Sequence, residues 1–382
     1  MQLIEALAGQ DCRVLVTNGK GKEAVVEVAH EKLFTAWPKL KEWIDNCGED
    51  LRLIDYAEEV ARRWHETGGH LQELLRKERA DSVMRALERF SQAPSAQLRM
   101  MLRPQQMLVA RLEDDALSHE DRLFIGKKLA EFGDLRPGVG VRDGFPDIAW
   151  IDLPGGELKL EMVDQLFRVR PFRIAKYPVT NQQFEVFLNT EDGYRNKVWW
   201  KDIDWSRKCG QPPWPEANSP RENISWYEAV AFCRWLSAGT GTNIRLPTEW
   251  EWQLAATGGN AQREYPWEGG WDSSRCNSYE SRLNRTTAVG IYPTGSTEQG
   301  VHDMAGNVWE WCLNDYHDPT QPEAVCISNR KGNGRVIRGG SWNNDEPENF
   351  CASYREWNYA DNQHDILGFR LFIGFRLVQD IP

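Results

Sequence analysis

The sequence lacks most of the signatures that settle a function quickly. It has no CxxC pair and no Cys/His cluster at zinc spacing, so neither a zinc ribbon nor a thioredoxin-type dithiol is encoded. No GxxxxGK[ST] phosphate loop occurs, which excludes a Walker-type nucleotide site within these residues. No apolar run approaches the roughly 18 residues of a membrane-spanning helix. The opening MQLIEALAGQ has neither a basic flank nor a long apolar core, so it does not read as a signal peptide. Basic charge is scarce too: 46 Lys and Arg face 57 Asp and Glu, for a net charge of −11. Both halves of the chain are mildly acidic, which argues against a nucleic-acid partner.

What is abundant is tryptophan. The 382 residues hold 18 Trp, three before residue 141 and fifteen after it. Proline is split in the same way, so the chain reads as two parts of different composition. The length agrees with two or three domains. The eight Cys are scattered, and with no leader evident the expectation is reduced thiols in a cytoplasm.

In the N-terminal part, two β-branched runs flank Asn18-Gly19-Lys20-Gly21, a hairpin signal. A helix follows with Leu33, Trp37, Leu40 and Trp43 on one face. Further amphipathic helices are predicted over 51–66, 71–92 and about 104–133. The string VEVAHEKLFTAWPKLKEWI resembles the wing and following helix at the end of the winged-helix region of STAND-type signalling NTPases. That resemblance covers roughly residues 1–70. It implies that the nucleotide-binding part lies upstream, so the chain reads as the C-terminal end of a longer one.

Gly and Pro collect over 133–150, marking a boundary and giving domains of 1–135 and 136–382. Beyond it, three helix starts are legible as capping boxes: Thr180 with Gln183, Ser225 with Glu228, and Thr248 with Glu251. Elsewhere short strands alternate with long Gly/Pro/Asn-rich loops, the pattern of an irregular α+β domain. Such a domain fills its core poorly with small aliphatics, and large Trp side chains bridge the gaps.

RLPTEWEWQLAATGG, YPWEGG, VGIYPTGSTEQGVHDMAGNVWEW, RVIRGGSW and a terminal GFRL then follow in order. Together they resemble the formylglycine-generating-enzyme, or sulfatase-modifying-factor, domain over about 146–382. The resemblance implies a C-type lectin-like fold, preceded here by a small, mostly α-helical domain. The oxidases of that family bind Cu(I) through two cysteines, at the third and eighth residues after the Ser of RGGS. Here Asn344 and Asn349 stand at those places, with Cys351 alone nearby. A single thiolate cannot build a two-coordinate copper site, so the chain is expected not to be an enzyme. Sulfoxide synthases of the ergothioneine type share the domain, but none of the seven His forms their HxxxHxE triad. No cofactor is required on this reading. The family also implies calcium beside DMxGNxWEW, with Asp303, Gly306, Val308 and Glu310 as ligands.

The segment 342–371 carries the functional expectation. It is rich in Asn, Asp and Tyr, lacks the periodicity of a long helix or strand, and mixes aromatic anchors with adaptable polar groups as a paratope does. It resembles the variable region of a diversity-generating retroelement, in which adenine-rich Asn codons are rewritten before a GFRL end. The candidate ligand-binding residues are Asp345, Phe350, Cys351, Ser353, Tyr354, Glu356, Trp357, Tyr359, Asp361, His364, Asp365 and Ile366. Glu356, Trp357 and Gln363 cannot arise from an Asn codon by adenine changes alone. Trp250, Trp252, Trp267, Trp309, Trp311 and Trp342 are expected to be scaffold, and Trp357 to face a partner. The expected function is recognition of an unknown ligand, a protein by the character of the surface, relayed to the upstream NTPase as in a conflict system. The alternatives are a regulatory adaptor with an inactive domain and, further off, a copper-dependent oxidase.

Overall fold

In the computed structural model the described residues are 15–18, 25–28, 38–204, 209–319, 334–362 and 372–381. They form two units, Met1–Leu102 and Arg103–Pro382.

The first unit opens with the expected hairpin. Strands β1 (Leu15–Asn18) and β2 (Val25–Val28) pair antiparallel, Leu15 opposite Val28. Leu33 and Trp37 lie outside the described residues. Helix α1 runs unbroken from Pro38 to Glu66, where the sequence suggests one helix through Trp43 and another over 51–66. A glycine inside a helix costs about 1 kcal/mol, less than ending the helix and nucleating another. Ile54, Ala57, Ala61 and Trp64 recur at three- and four-residue spacing and are all buried. The predicted 71–92 helix is a 3₁₀ turn at Leu71–Glu73 followed by α2 (Lys77–Arg89), with Leu71, Leu74, Val83 and Leu87 buried. A short α3 (Ala96–Leu102) closes the unit.

The compact units divide at 102/103. The predicted 104–133 helix is two helices, α4 (Gln105–Arg111) and α5 (His119–Phe132), and both belong to the second unit. Ser118 caps α5 by accepting from the Asp121 amide, which sets a new helix start in mid-stretch. The buried Arg122 guanidinium donates to the carbonyls of Leu112 and Ile291, at 3.0 and 2.9 Å. His119 Nδ1 meets the Tyr292 hydroxyl at 2.8 Å. Gly126 makes the close approach possible, since a Cβ there would stand 2.9 Å from that of Ala288. These are long-range contacts that helical periodicity cannot report.

The second unit contains two short hairpins, β3 (Val141–Arg142) with β4 (Phe145–Pro146) and β6 (Gly156–Lys159) with β7 (Leu166–Val169). Two four-stranded sheets carry the rest. One has the order β5-β8-β14-β9, with β5 at Trp150–Leu153, β8 at Phe172–Ala175, β9 at Ile244–Arg245 and β14 at Val378–Asp380. The other has the order β12-β11-β10-β13, with β10 at Trp309–Asp315, β11 at Gly334–Arg338, β12 at Glu356–Tyr359 and β13 at Ile373–Gly374. Residues 374–377, the second of two GFRL copies, join the sheets, and Phe375, Arg376 and Leu377 are fully buried. The first copy lies outside the described residues.

All three capping boxes form, on α6 (Asn181–Asn189), α7 (Trp226–Thr240) and α8 (Glu249–Thr257). Their acidic or amide members also tie helices to the rest. Glu251 takes both arms of Arg245 at 2.7 Å, and Gln183 donates to the Asp147 carbonyl at 2.6 Å. The Trp-rich core forms as composition suggests, and several of its buried indoles find acceptors, while that of Trp309 has none among the described residues. Trp226 donates to the Cys312 carbonyl, Trp311 to that of Ile224, and Trp252 to Glu310.

Candidate recognition surface

The surface is built outward from β11. Arg338 ends that strand, fully buried. One nitrogen donates to the carbonyls of Ser353 and Tyr354, at 2.9 and 2.8 Å. The other donates to the Ala352 carbonyl at 2.9 Å and to Gln253 at 2.6 Å. One side chain thus fixes three consecutive residues of the segment by backbone alone. Arg355 fixes the next one through a two-pronged ion pair with buried Glu249, at 2.7 and 2.9 Å. These bonds end on backbone carbonyls, so the exposed side chain of Ser353 can vary over a fixed backbone, while Ala352 is buried in the core and Tyr354 packs against it.

The chain then becomes β12, the edge of its sheet, paired with β11 from Gly334 opposite Tyr359 to Ile337 opposite Glu356. An open edge invites pairing with another chain. Here the Trp357 amide donates to the Glu356 carboxylate at 2.9 Å, and the Tyr359 amide to the Asn358 side chain at 2.8 Å. Alternate amides along the strand are therefore occupied locally, which leaves side chains as the means of recognition. Gly334 lets the Trp357 indole lie against β11, since a Cβ there would meet the ring at 2.6 Å.

The candidate residues divide. Asp345, Ser353 and Asp361 are exposed, Tyr359 is half exposed, and Tyr354, Glu356 and Trp357 are partly exposed. Cys351 is half-buried, and burial pushes its thiol up. Phe350 is a correction: it is fully buried and stacks on Trp271 with centroids 4.6 Å apart, within a cluster that includes Tyr265 and Trp267. The 3₁₀ turn Pro347–Phe350 carries it inward, so it is core. His364, Asp365 and Ile366 lie outside the described residues. Of the Trp expected as scaffold, five are buried, and Trp342 packs half-buried on Phe372.

The sequence misses two members of the surface. Tyr316 and His317, just beyond β10, lie with ring centroids 6.4 and 5.8 Å from Trp357, and Tyr359 stands edge-on to Trp357 at 5.2 Å. Only the register of β10 with β11 and of β11 with β12 brings them together, some forty residues apart.

At the positions where the resemblance requires copper thiolates, the structure has a pair of amides in contact. Asn344 Oδ1 accepts from the Ser341 amide and hydroxyl, both at 2.9 Å, and Asn344 Nδ2 donates to Asn349 Oδ1 at 2.6 Å. The calcium set fits its ion no better. Both Glu310 oxygens are held by buried Arg376, at 2.5 and 2.6 Å, and Trp252 shares one of them. The Gly306 carbonyl accepts from the Val308 amide, and Asp303 accepts from that of Gly290. Of the two carboxylates expected to hold calcium, that of Glu310 is already paired with a guanidinium. Among the described residues no cluster of three or more His, Cys, Asp and Glu is placed to hold a metal.

The sheets, capped helices and RGGS and GFRL anchors define a sulfatase-modifying-factor type of C-type lectin-like domain. Residues 146–381 match the Sulfatase-modifying factor enzyme 1-like domain, and the chain belongs to that family. Residues 1–72 match the Novel STAND NTPase 1 family. Hercynine oxygenase of Mycolicibacterium thermoresistibile is 28% identical, over 64% of this chain and 60% of its own length. Formylglycine-generating enzyme of Streptomyces coelicolor is 30% identical, over 58% of this chain and 87% of its own. The Bos taurus relative, 27% identical over 59% of this chain and 87% of its own length, is named inactive C-alpha-formylglycine-generating enzyme 2. The family thus includes proteins named as enzymes and one named as inactive. The chain spans about half the length of the hercynine oxygenases it matches, 60% and 53% for two of them. Among solved structures, Treponema denticola variable protein 1 aligns with TM-score 0.45 and 21% identity, covering 61% of this chain and 95% of its own. No helix among the described residues is long and apolar enough to cross a membrane.

Proposed function

We propose that the chain is a ligand-recognition protein without enzymatic activity. Its surface over residues 345–361 binds a partner, a protein by the mixture of aromatic and polar side chains. The observation that carries this reading is the separation of roles along the segment. Arg338 and Arg355 hold its backbone from beneath, while Asp345, Ser353, Glu356, Trp357, Tyr359 and Asp361 stand at least partly exposed above it. A backbone held independently of its outward side chains suits a site diversified by a retroelement. Asn344 and Asn349, in place of paired thiolates, support the absence of copper oxidase chemistry. The STAND-like N-terminal residues support relay of binding to an NTPase region.

Two experiments test this. Sequencing the adjacent DNA is expected to reveal a reverse transcriptase and a near-repeat of codons 345–366 differing only at adenines. Their absence would sink the diversification claim. Incubation with Cu(I) and a Cys-containing peptide is expected to leave the peptide mass unchanged; formylglycine product would restore the oxidase reading.

A further inference from the structure

Four rings meet on the exposed side of the sheet edge: Tyr316, His317 and Tyr359 around Trp357. Aromatic faces carry negative charge density and attract cations. Among the described residues, the charges along the segment are mostly of one sign. Residues 342–362 hold five carboxylates (345, 346, 348, 356 and 361) and a single cation, Arg355. That cation is already placed: its guanidinium lies 4.6 Å over the Tyr316 ring, its side chain is 10% exposed, and both prongs rest on buried Glu249, which leaves the faces of Trp357 and Tyr359 for a partner. Glu356 and Asp361 bracket the aromatic group along the chain. The whole molecule, at −11, adds a field that draws cations toward it.

We infer that the occupant of this surface is a cationic segment of a protein, with a Lys or Arg side chain seated on Trp357 and Tyr359 and paired with Glu356 or Asp361. Two constraints meet here: π faces favour a cation, and the flanking carboxylates reject an acidic partner. The surface is therefore selective for charge sign as well as for shape. The inference rests on the reading of 345–361 as a binding surface, and it adds the partner's chemistry and two residues, Tyr316 and His317, outside the segment.

The test is to pan a random displayed-peptide library against the full chain. Captured peptides are then measured by titration against Tyr359→Ala, Trp357→Ala, Glu356→Gln, Asp361→Asn and a remote control, Asp152→Asn. Lys- and Arg-rich peptides are expected to be enriched. Each surface variant is expected to weaken them by about tenfold, the scale of one partly desolvated cation–π contact or charged hydrogen bond. Asp152→Asn is expected to leave binding unchanged. Tyr359 is half exposed, so its variant reports even if Trp357→Ala fails to fold. Neutral or acidic peptides that still depend on Trp357 and Tyr359 would overturn the cationic inference and leave the binding surface standing. Basic peptides weakened equally by Asp152→Asn would mark bulk charge attraction and overturn it as well. No peptide dependent on these residues would overturn both readings.

Discussion

The RGGS and GFRL anchors and the segment between them make opposite uses of charge. In the anchors, Arg338 and Arg376 are fully buried and their nitrogens are aimed at carbonyls, a glutamine and a carboxylate. In the segment, the carboxylates of Asp345, Glu346, Glu348 and Asp361 are exposed. The buried charges fix the backbone and the exposed ones are free to select a partner. A loop can change its surface without losing its shape when the bonds that shape it end on backbone atoms.

Substitutions can break this contrast. The largest effect is expected for Arg376→Ala, which strands the Glu310 carboxylate in the core. A loss of about 3–5 kcal/mol in chemical denaturation is expected, and a loss below about 1 kcal/mol would mean that the Arg376–Glu310 pair is not what holds the anchor. Next comes a pair within one segment. Phe350→Ala is expected to cost about 3–5 kcal/mol as a core deletion. Tyr359→Ala is expected to stay within about 0.5 kcal/mol of the parent. Equal costs would erase the division between inward and outward side chains.

A third substitution sharpens the scaffold side. Burial raises the Glu222 carboxyl from 4.5 to about 8, and among the described residues only Thr286 donates to it, at 3.1 Å. A raised folded pKa means that its contribution to stability is full below about 4.5 and is lost as pH rises through about 8. Glu222→Gln should therefore be more stable than the parent above pH 8, by about 1–3 kcal/mol, with the gap closing toward pH 4.5. A gap that widens on acidification would contradict the sign. Thr248→Ala removes one capping box and is expected to cost about 1 kcal/mol. The smallest effect is expected from calcium: with Glu310 held by Arg376, millimolar calcium should leave the melting temperature unchanged. A clear rise would show that the cation displaces the guanidinium.

Much of this was legible in the sequence, and what was legible was local. A capping box lies within four residues, so Thr180, Ser225 and Thr248 could be read directly, and all three form. The family motifs placed the scaffold Trp correctly because they span the anchors themselves. Helix α1 spans what periodicity divides into two, because propagation carries the helix across Gly48. The bonds of Arg122 and His119 to residues 291 and 292, which place α4 and α5 in the second unit, are invisible to periodicity. Phe350 was misassigned because a single 3₁₀ turn decides which way it faces. Tyr316 and His317 were missed because strand register, not sequence distance, brings them beside Trp357.

The central claim is that the outward residues of the segment are independent of the fold. The direct measurement is a pair of randomised libraries scored for protease resistance, one at 345, 353, 356, 357, 359 and 361 and the other at 338, 350, 355 and 376. The account predicts that most members of the first library stay resistant while most of the second are lost. Equal loss from both would contradict it.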